Sequence, residues 1–136
     1  MKGFNSQICT TRSQSEALLK LGLKKETADM VHTYLNRWDG YHIHEHDWSD
    51  ISCDEQHIPA WSLHRLIEMM PWTLIEDRVY HERWNFNLTR SAVIYRNEYK
   101  EDEWIGECFG QGMYNNIIDC IEWLIKEGYF NKEYLN

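Results

Sequence analysis

The stretch Trp84-Asn85-Phe86-Asn87-Leu88-Thr89 decides the fold. Apolar and polar residues alternate along it with a period of two, as in a strand buried on one face. The pattern continues outward. Ala92 and Ile94 interleave with Val93 and Tyr95, a strand apolar on both sides. Asn97 to Asp102 reads as a turn, and Trp104 to Phe109 resumes strand composition, weakened at Gly106. Residues 73–109 therefore predict an antiparallel meander of about three strands.

Helical periodicity flanks this meander. Leu63, Leu66, Ile67 and Met70 fall at i, i+3, i+4 and i+7, the apolar stripe of an amphipathic helix. Ser62 is a natural N-cap for it. Trp61 precedes that cap and Leu66 follows four residues after it, which is the spacing of a hydrophobic staple. Pro71 ends the helix, because proline cannot continue the hydrogen-bond ladder. After the break at Gly110-Gln111-Gly112, Met113, Ile117, Cys120, Ile121 and Leu124 mark a second helix face. Ile118 and Ile125 widen it, and Gly128 closes it. A stripe this wide predicts a buried helix, in which Leu124→Ala costs about 2–5 kcal/mol.

The N-terminal part is less regular. Residues 1–12 are polar and aperiodic, and are expected to form a loose arm. Ser13-Gln14-Ser15-Glu16 has the form of a capping box, followed by Ala17, Leu18 and Leu21 at helical spacing and by Gly22 as a left-handed stop. Glu26 to Met30 predicts a short helical turn, Val31 to Leu35 a strand, and residues 41–46 a further strand. The expected class is α+β. A small antiparallel sheet, open to extension by the N-terminal strands, carries the 62–70 and 113–128 helices in one domain over residues 13–136.

Composition narrows the function classes. The chain has 136 residues with 43% hydrophobic and 14% aromatic content, enough to build one core without a staple. Fourteen Lys and Arg against 22 Asp and Glu give a net charge of −8. No basic cluster offsets this, so direct binding to DNA or RNA is not expected. No apolar run is long enough for a membrane helix. Met1 to Gln7 lacks the apolar core of a secretion signal. The spacings of 44, 55 and 12 between Cys9, Cys53, Cys108 and Cys120 match no zinc framework. Together these features predict a cytoplasmic protein with reduced thiols. Cys120 falls on the apolar helix face, where it serves as a small hydrophobe.

The one segment with the look of chemistry is acidic and rich in histidine. His42, His44 and His46 recur at every second position, and on a strand they project to one face. Three neutral imidazoles so placed can take zinc or nickel, with Asp47, Asp50 or His57 completing the shell, and an open position can activate water. The plainer reading is a polar hairpin without metal. The order His46-Asp47 reverses the end of a metallo-β-lactamase pattern. HD phosphohydrolases need an all-helical frame. Cys53 beside Asp54 and His57 suggests Cys–His activation by chain proximity alone. Gly110-Gln111-Gly112 is better read as a strand-to-helix turn than as a phosphate loop. His32 reads as a strand residue with a backbone or solvent partner, and His64 as a residue on the polar side of its helix.

Three stretches carry a resemblance. They are Ser15-Glu16 through Met30, with Leu21-Gly22-Leu23 and Thr27-Ala28-Asp29-Met30; Ile58-Pro59-Ala60-Trp61-Ser62-Leu63 through Pro71; and Ile121-Glu122-Trp123-Leu124 through Gly128-Tyr129. Over about a third of the chain these resemble small uncharacterised proteins encoded in prophages and mobile elements of gut bacteria. The resemblance implies a compact α+β domain and an accessory role in such an element. It implies no activity, and the histidine-rich stretch lies where these proteins vary.

The reading is therefore of a non-enzymatic accessory protein that meets an unidentified protein partner and needs no cofactor. Trp38, Tyr41 and Trp48, aromatics within the acidic segment, are the expected interface. Imitation of DNA toward a nuclease is a special case of such acidic binding. A metal-binding protein or metal-dependent hydrolase built on His42, His44 and His46 is the alternative. Trp72, Trp84 and Trp104 flank or lie in the meander, and about two of the seven Trp are expected to be exposed.

Overall fold

A computed structural model describes residues 6–34, 41–45, 57–76 and 82–136. The class is α+β, with two separate antiparallel sheets. The chain divides into two compact units, Met1–Ile67 with Tyr134–Asn136, and Glu68–Glu133.

The first unit contains helix α1 (Arg12–Lys20) and strands β1 (Met30–Tyr34), β2 (Tyr41–Glu45) and β3 (His57–Ala60), in the sheet order β2-β1-β3. The N-terminal strands thus build a sheet of their own and do not extend the meander. Strand β3 escapes a periodicity reading because it has four residues and contains Pro59. Proline is tolerated there because, among the described residues, β3 pairs with β1 alone and forms an edge.

Helix α1 starts earlier than the expected Ser13 box. Thr11 is the N-cap: its hydroxyl accepts from the Gln14 amide at 3.2 Å, and the Gln14 Oε1 accepts from the Thr11 amide at 2.9 Å. Ser15 turns inward, its hydroxyl 2.8 Å from that of buried Thr10. Glu16 meets Arg12 at the surface at 3.2 Å, where such a pair contributes little. Nor are residues 9–12 a loose arm. Cys9 and Thr10 are buried, and the Thr10 amide donates to the Trp61 carbonyl at 2.9 Å.

Trp61 is the hub of this unit. Its amide donates to the Thr10 hydroxyl and its indole Nε1 to the Thr27 hydroxyl, both at 3.0 Å. The Thr27 hydroxyl in turn donates to the Lys24 carbonyl at 2.6 Å. Asp29 accepts from the Ser62 amide at 2.8 Å and from its hydroxyl at 2.5 Å. The Ser62 hydroxyl accepts from the Arg65 amide at 3.1 Å, so Ser62 is the expected N-cap of helix α2 (Leu63–Met69). Arg65 Nε donates to the Thr27 carbonyl at 2.7 Å, and its guanidinium lies 5.8 Å from the centre of the Tyr134 ring. The stretches 27–30 and 58–63 are thereby knit into one hydrogen-bonded knot, and their role here is architectural.

The second unit is a four-stranded sheet in the order β4-β5-β6-β7: β4 (Thr73–Glu76), β5 (Glu82–Leu88), β6 (Ala92–Asn97) and β7 (Trp104–Phe109). The meander thus has one more strand than expected. Four residues directly after Pro71 are too few to show a period of two. Asn97 builds the β6–β7 turn: its Oδ1 accepts from the Tyr99 and Lys100 amides at 2.9 and 3.0 Å.

Helix α3 (Met113–Glu127) packs on β6 and β7. Its buried side chains include Ile117, Ile118, Cys120, Ile121 and Leu124, as the stripe predicts, and Gly128 ends it at φ +82°. Trp123 stacks on Tyr95 at 6.4 Å between ring centres, and the Tyr95 hydroxyl donates to the Pro71 carbonyl at 2.9 Å. Because Leu124 is fully buried, Leu124→Ala should lower the unfolding free energy by about 3 kcal/mol. A urea midpoint equal to that of the parent chain would remove it from the core.

Strand β7 carries one extra residue against β6: Tyr95 pairs with Ile105, but Val93 pairs with Cys108. The bulge is made by Gly106, at φ +65°, a conformation an L side chain adopts only at a cost. It also lets the strand approach α3, since a Cβ at position 106 would stand 2.7 Å from the Trp123 ring.

Candidate functional site

Side chains alternate across a strand, so the residues of β6 divide between two faces. Val93 and Tyr95 face α3. Ala92, Ile94 and Arg96 take the other face, together with their partners Phe109 and Trp104 on β7. Asn85 stands opposite Arg96, and Thr73 opposite Asn85, with the Thr73 hydroxyl donating to Asn85 Oδ1 at 3.0 Å. A row of Thr73, Asn85, Arg96 and Trp104 therefore crosses all four strands.

Apolar side chains are exposed on this face: Phe109 at 64%, Ile75 at 52% and Trp104 at 44%. Trp104 is held in place from two sides. Its Nε1 donates to Glu107 Oε2 at 2.9 Å, and the Arg96 guanidinium lies 5.8 Å from the indole centre. Arg96 donates from Nη1 to the Glu101 carbonyl at 3.0 Å, while its buried Nε has no hydrogen-bond partner among the described residues. Thr89, Ala92, Ile94, Arg96, Trp104 and Glu107 line a recess of about 180 Å³. It has an aliphatic floor, an indole wall and one charge of each sign. That chemistry suits one apolar side chain with a hydrogen-bonding group beside it.

The first unit holds a second constellation. Cys9 Sγ lies 3.8 Å from His32 Nε2, and the same nitrogen lies 2.5 Å from the Thr10 carbonyl. This pair was not foreseen from sequence, because 23 residues separate its members. A pocket of about 410 Å³ adjoins it, lined among others by Gln7, Ile8 and Ile43. It is not built for nucleophilic attack. The carbonyl takes the Nε2 proton, and Cys9 is only 3% exposed. Burial, helped by the Asp29 carboxylate, pushes the Cys9 thiol up from 9.0 to about 11.

That shift carries a pH dependence. The folded thiol loses its proton at a higher pH than the unfolded one, so its contribution is intact below pH 9 and lost as pH rises toward about 11. Between pH 8 and 11 the parent chain should lose about 2 kcal/mol more stability than Cys9→Ala. Parallel urea curves for the two chains at both pH values would contradict this.

The residues singled out from sequence fall as follows. His42 and His44 lie in β2, opposite Thr33 and Val31, and Tyr41 begins that strand. His46, Trp38, Trp48, Cys53, Asp47 and Asp50 lie outside the described residues. Among the described residues, no three His, Cys, Asp or Glu side chains gather closely enough to hold a metal ion. His32 is a buried β1 residue with a backbone partner, and His64 is exposed on α2. Of the five described tryptophans, Trp72 and Trp104 are exposed, while Trp61 and Trp84 belong to the core. Among the described residues no helix is long and apolar enough to cross a membrane. In comparisons with known proteins, no family model, curated protein or solved structure matches the chain.

Proposed function

We propose that this chain acts by contact with another protein, through the sheet face centred on Trp104. The observation that carries the reading is the indole clamped between Arg96 and Glu107 at the mouth of a recess. A rigid aromatic with an arginine beside it is the usual composition of an interface centre. The recess takes an apolar side chain of the partner. Arg96 meets an acceptor next to it. Strand β7 is also a sheet edge, which an extended segment can join by main-chain hydrogen bonds. The acid excess favours a basic partner and disfavours direct contact with nucleic acid. An accessory role in a mobile element, as the sequence resemblance implies, fits such a contact protein. Trp38, Tyr41 and Trp48, aromatics of the acidic segment, are further contact candidates within the same reading, which Trp48→Ala probes.

A photo-cross-linking amino acid at position 104, expressed in the native host, tests the proposal. The control carries it at Lys126, which is exposed on α3, the helix that covers the opposite sheet face. One protein captured from position 104 and not from 126 is expected. Equal capture from both positions, or none from either, counts against the face.

The second reading is metal binding at His42, His44 and His46. Its support is that β2 is a strand through 41–45, which gives His42 and His44 the alternate positions the reading needs. One equivalent of zinc or nickel in tag-free protein, lost in His44→Ala, is its expected signature. Metal-free protein after incubation with equimolar zinc excludes it.

A further inference from the structure

Cys108 and Cys120 are 12 residues apart in sequence, with the Gly110-Gln111-Gly112 turn between them. The fold brings them together. Cys108 pairs with Val93 and so lies on the sheet face that α3 covers. Cys120 is fully buried on α3, and its Sγ lies 4.0 Å from the Gly106 carbonyl, at the bulge that lets the strand approach the helix. The two thiols also lie near enough to shift each other's proton affinity. Cys108 itself is only partly buried, so a small solute has access to it. We infer that Cys108 and Cys120 form a two-thiol oxidation site that closes to a disulfide between β7 and α3 when the chain meets hydrogen peroxide.

The two sulfurs have distinct roles. Interaction with the Cys120 thiol holds the Cys108 thiol below its ordinary range, against the upward push of burial and of the Asp119, Glu107 and Glu122 carboxylates. The same interaction, together with burial, pushes Cys120 well up. Peroxide can reach partly buried Cys108 and not fully buried Cys120, so Cys108 is the attacking thiolate and Cys120 the resolving thiol. Cys108 attacks one peroxide oxygen. An S–O bond forms, the O–O bond breaks, and the departing hydroxide takes a proton to become water. Cys120 then attacks the sulfenic sulfur. The S–S bond forms, the S–O bond breaks, and the second hydroxide leaves as water with the Cys120 proton. Two thiols and one peroxide give one disulfide and two waters, and an added dithiol reverses the change. Cys9, buried and raised to about 11, takes no part. The site is independent of the protein-binding reading.

The test uses the full chain, treated with equimolar hydrogen peroxide, then unfolded in guanidinium chloride, alkylated with iodoacetamide and mapped by peptide mass. The expected product has lost two hydrogens and yields a Cys108–Cys120 cross-linked peptide, with Cys9 and Cys53 alkylated. Dithiothreitol should restore both thiols. In Cys120→Ser the reaction should stop at a sulfenic acid on Cys108 that dimedone traps. Full alkylation of Cys108 and Cys120 after peroxide overturns the inference, as does a disulfide that joins either of them to Cys53 or to a second chain. The mapping of the parent chain decides the matter even where the variant fails to fold.

Discussion

Trp61→Ala should lower the unfolding free energy by about 3–5 kcal/mol, the largest loss expected from a single truncation in the first unit. The indole is fully buried, so its removal leaves a cavity. It also leaves the Thr27 hydroxyl without the indole donor that now meets it at 3.0 Å. Trp61→Phe separates the two effects. It keeps most of the volume and loses the hydrogen bond, and should cost less than half as much. Urea unfolding followed by circular dichroism reads both variants. A Trp61→Ala chain within about 0.5 kcal/mol of the parent, the margin of an ordinary surface change, would show that the knot is not what holds this unit together.

Gly106→Val should cost on the order of 4 kcal/mol, through two additive causes. A β-branched residue at φ +65° carries backbone strain of about 1–3 kcal/mol. Its Cβ would also meet the Trp123 ring at 2.7 Å, and overpacking of this kind costs about 1–3 kcal/mol more. Gly106→Ala meets the same Cβ contact with less strain and should fall between parent and Val. Adding Trp123→Leu removes the ring and should recover part of the loss, because neighbouring sites are not additive. A Gly106→Val protein as stable as the parent would mean that β7 does not approach α3 through the bulge.

The same two variants address domain organisation. One domain over residues 13–136 predicts a single calorimetric transition that both substitutions lower. Two transitions, with Trp61→Ala moving one and Gly106→Val the other, would make the compact units separate domains.

What could be read from sequence was what repeats locally. The strand at 84–88, the stripe of α3 and the Ser62 cap each involve neighbours within a turn or a strand, and each stands in the structure. What escaped was set by distant partners or by too few residues. Strands β3 and β4 have four residues each, below the length at which alternation shows. The helix α1 cap lies at Thr11 and not at Ser13, because Gln14 closes the box with Thr11. No local signal pairs Cys9 with His32 or Cys108 with Cys120. The clamp on Trp104 was half visible, since Glu107 lies three residues away, but Arg96 arrives only through the β6–β7 register. The histidine triplet drew the eye by composition; the exposed sheet face did not, because its residues come from four different strands.

The claim on which the functional account rests is that Trp104 is a binding anchor. Once cross-linking identifies the partner, titration of that protein against the parent chain and against Trp104→Ala measures it directly. The account predicts a dissociation constant at least about tenfold higher for the variant, the loss expected when a buried interface aromatic is truncated, with an unchanged melting point. Equal affinity for the two chains would contradict it.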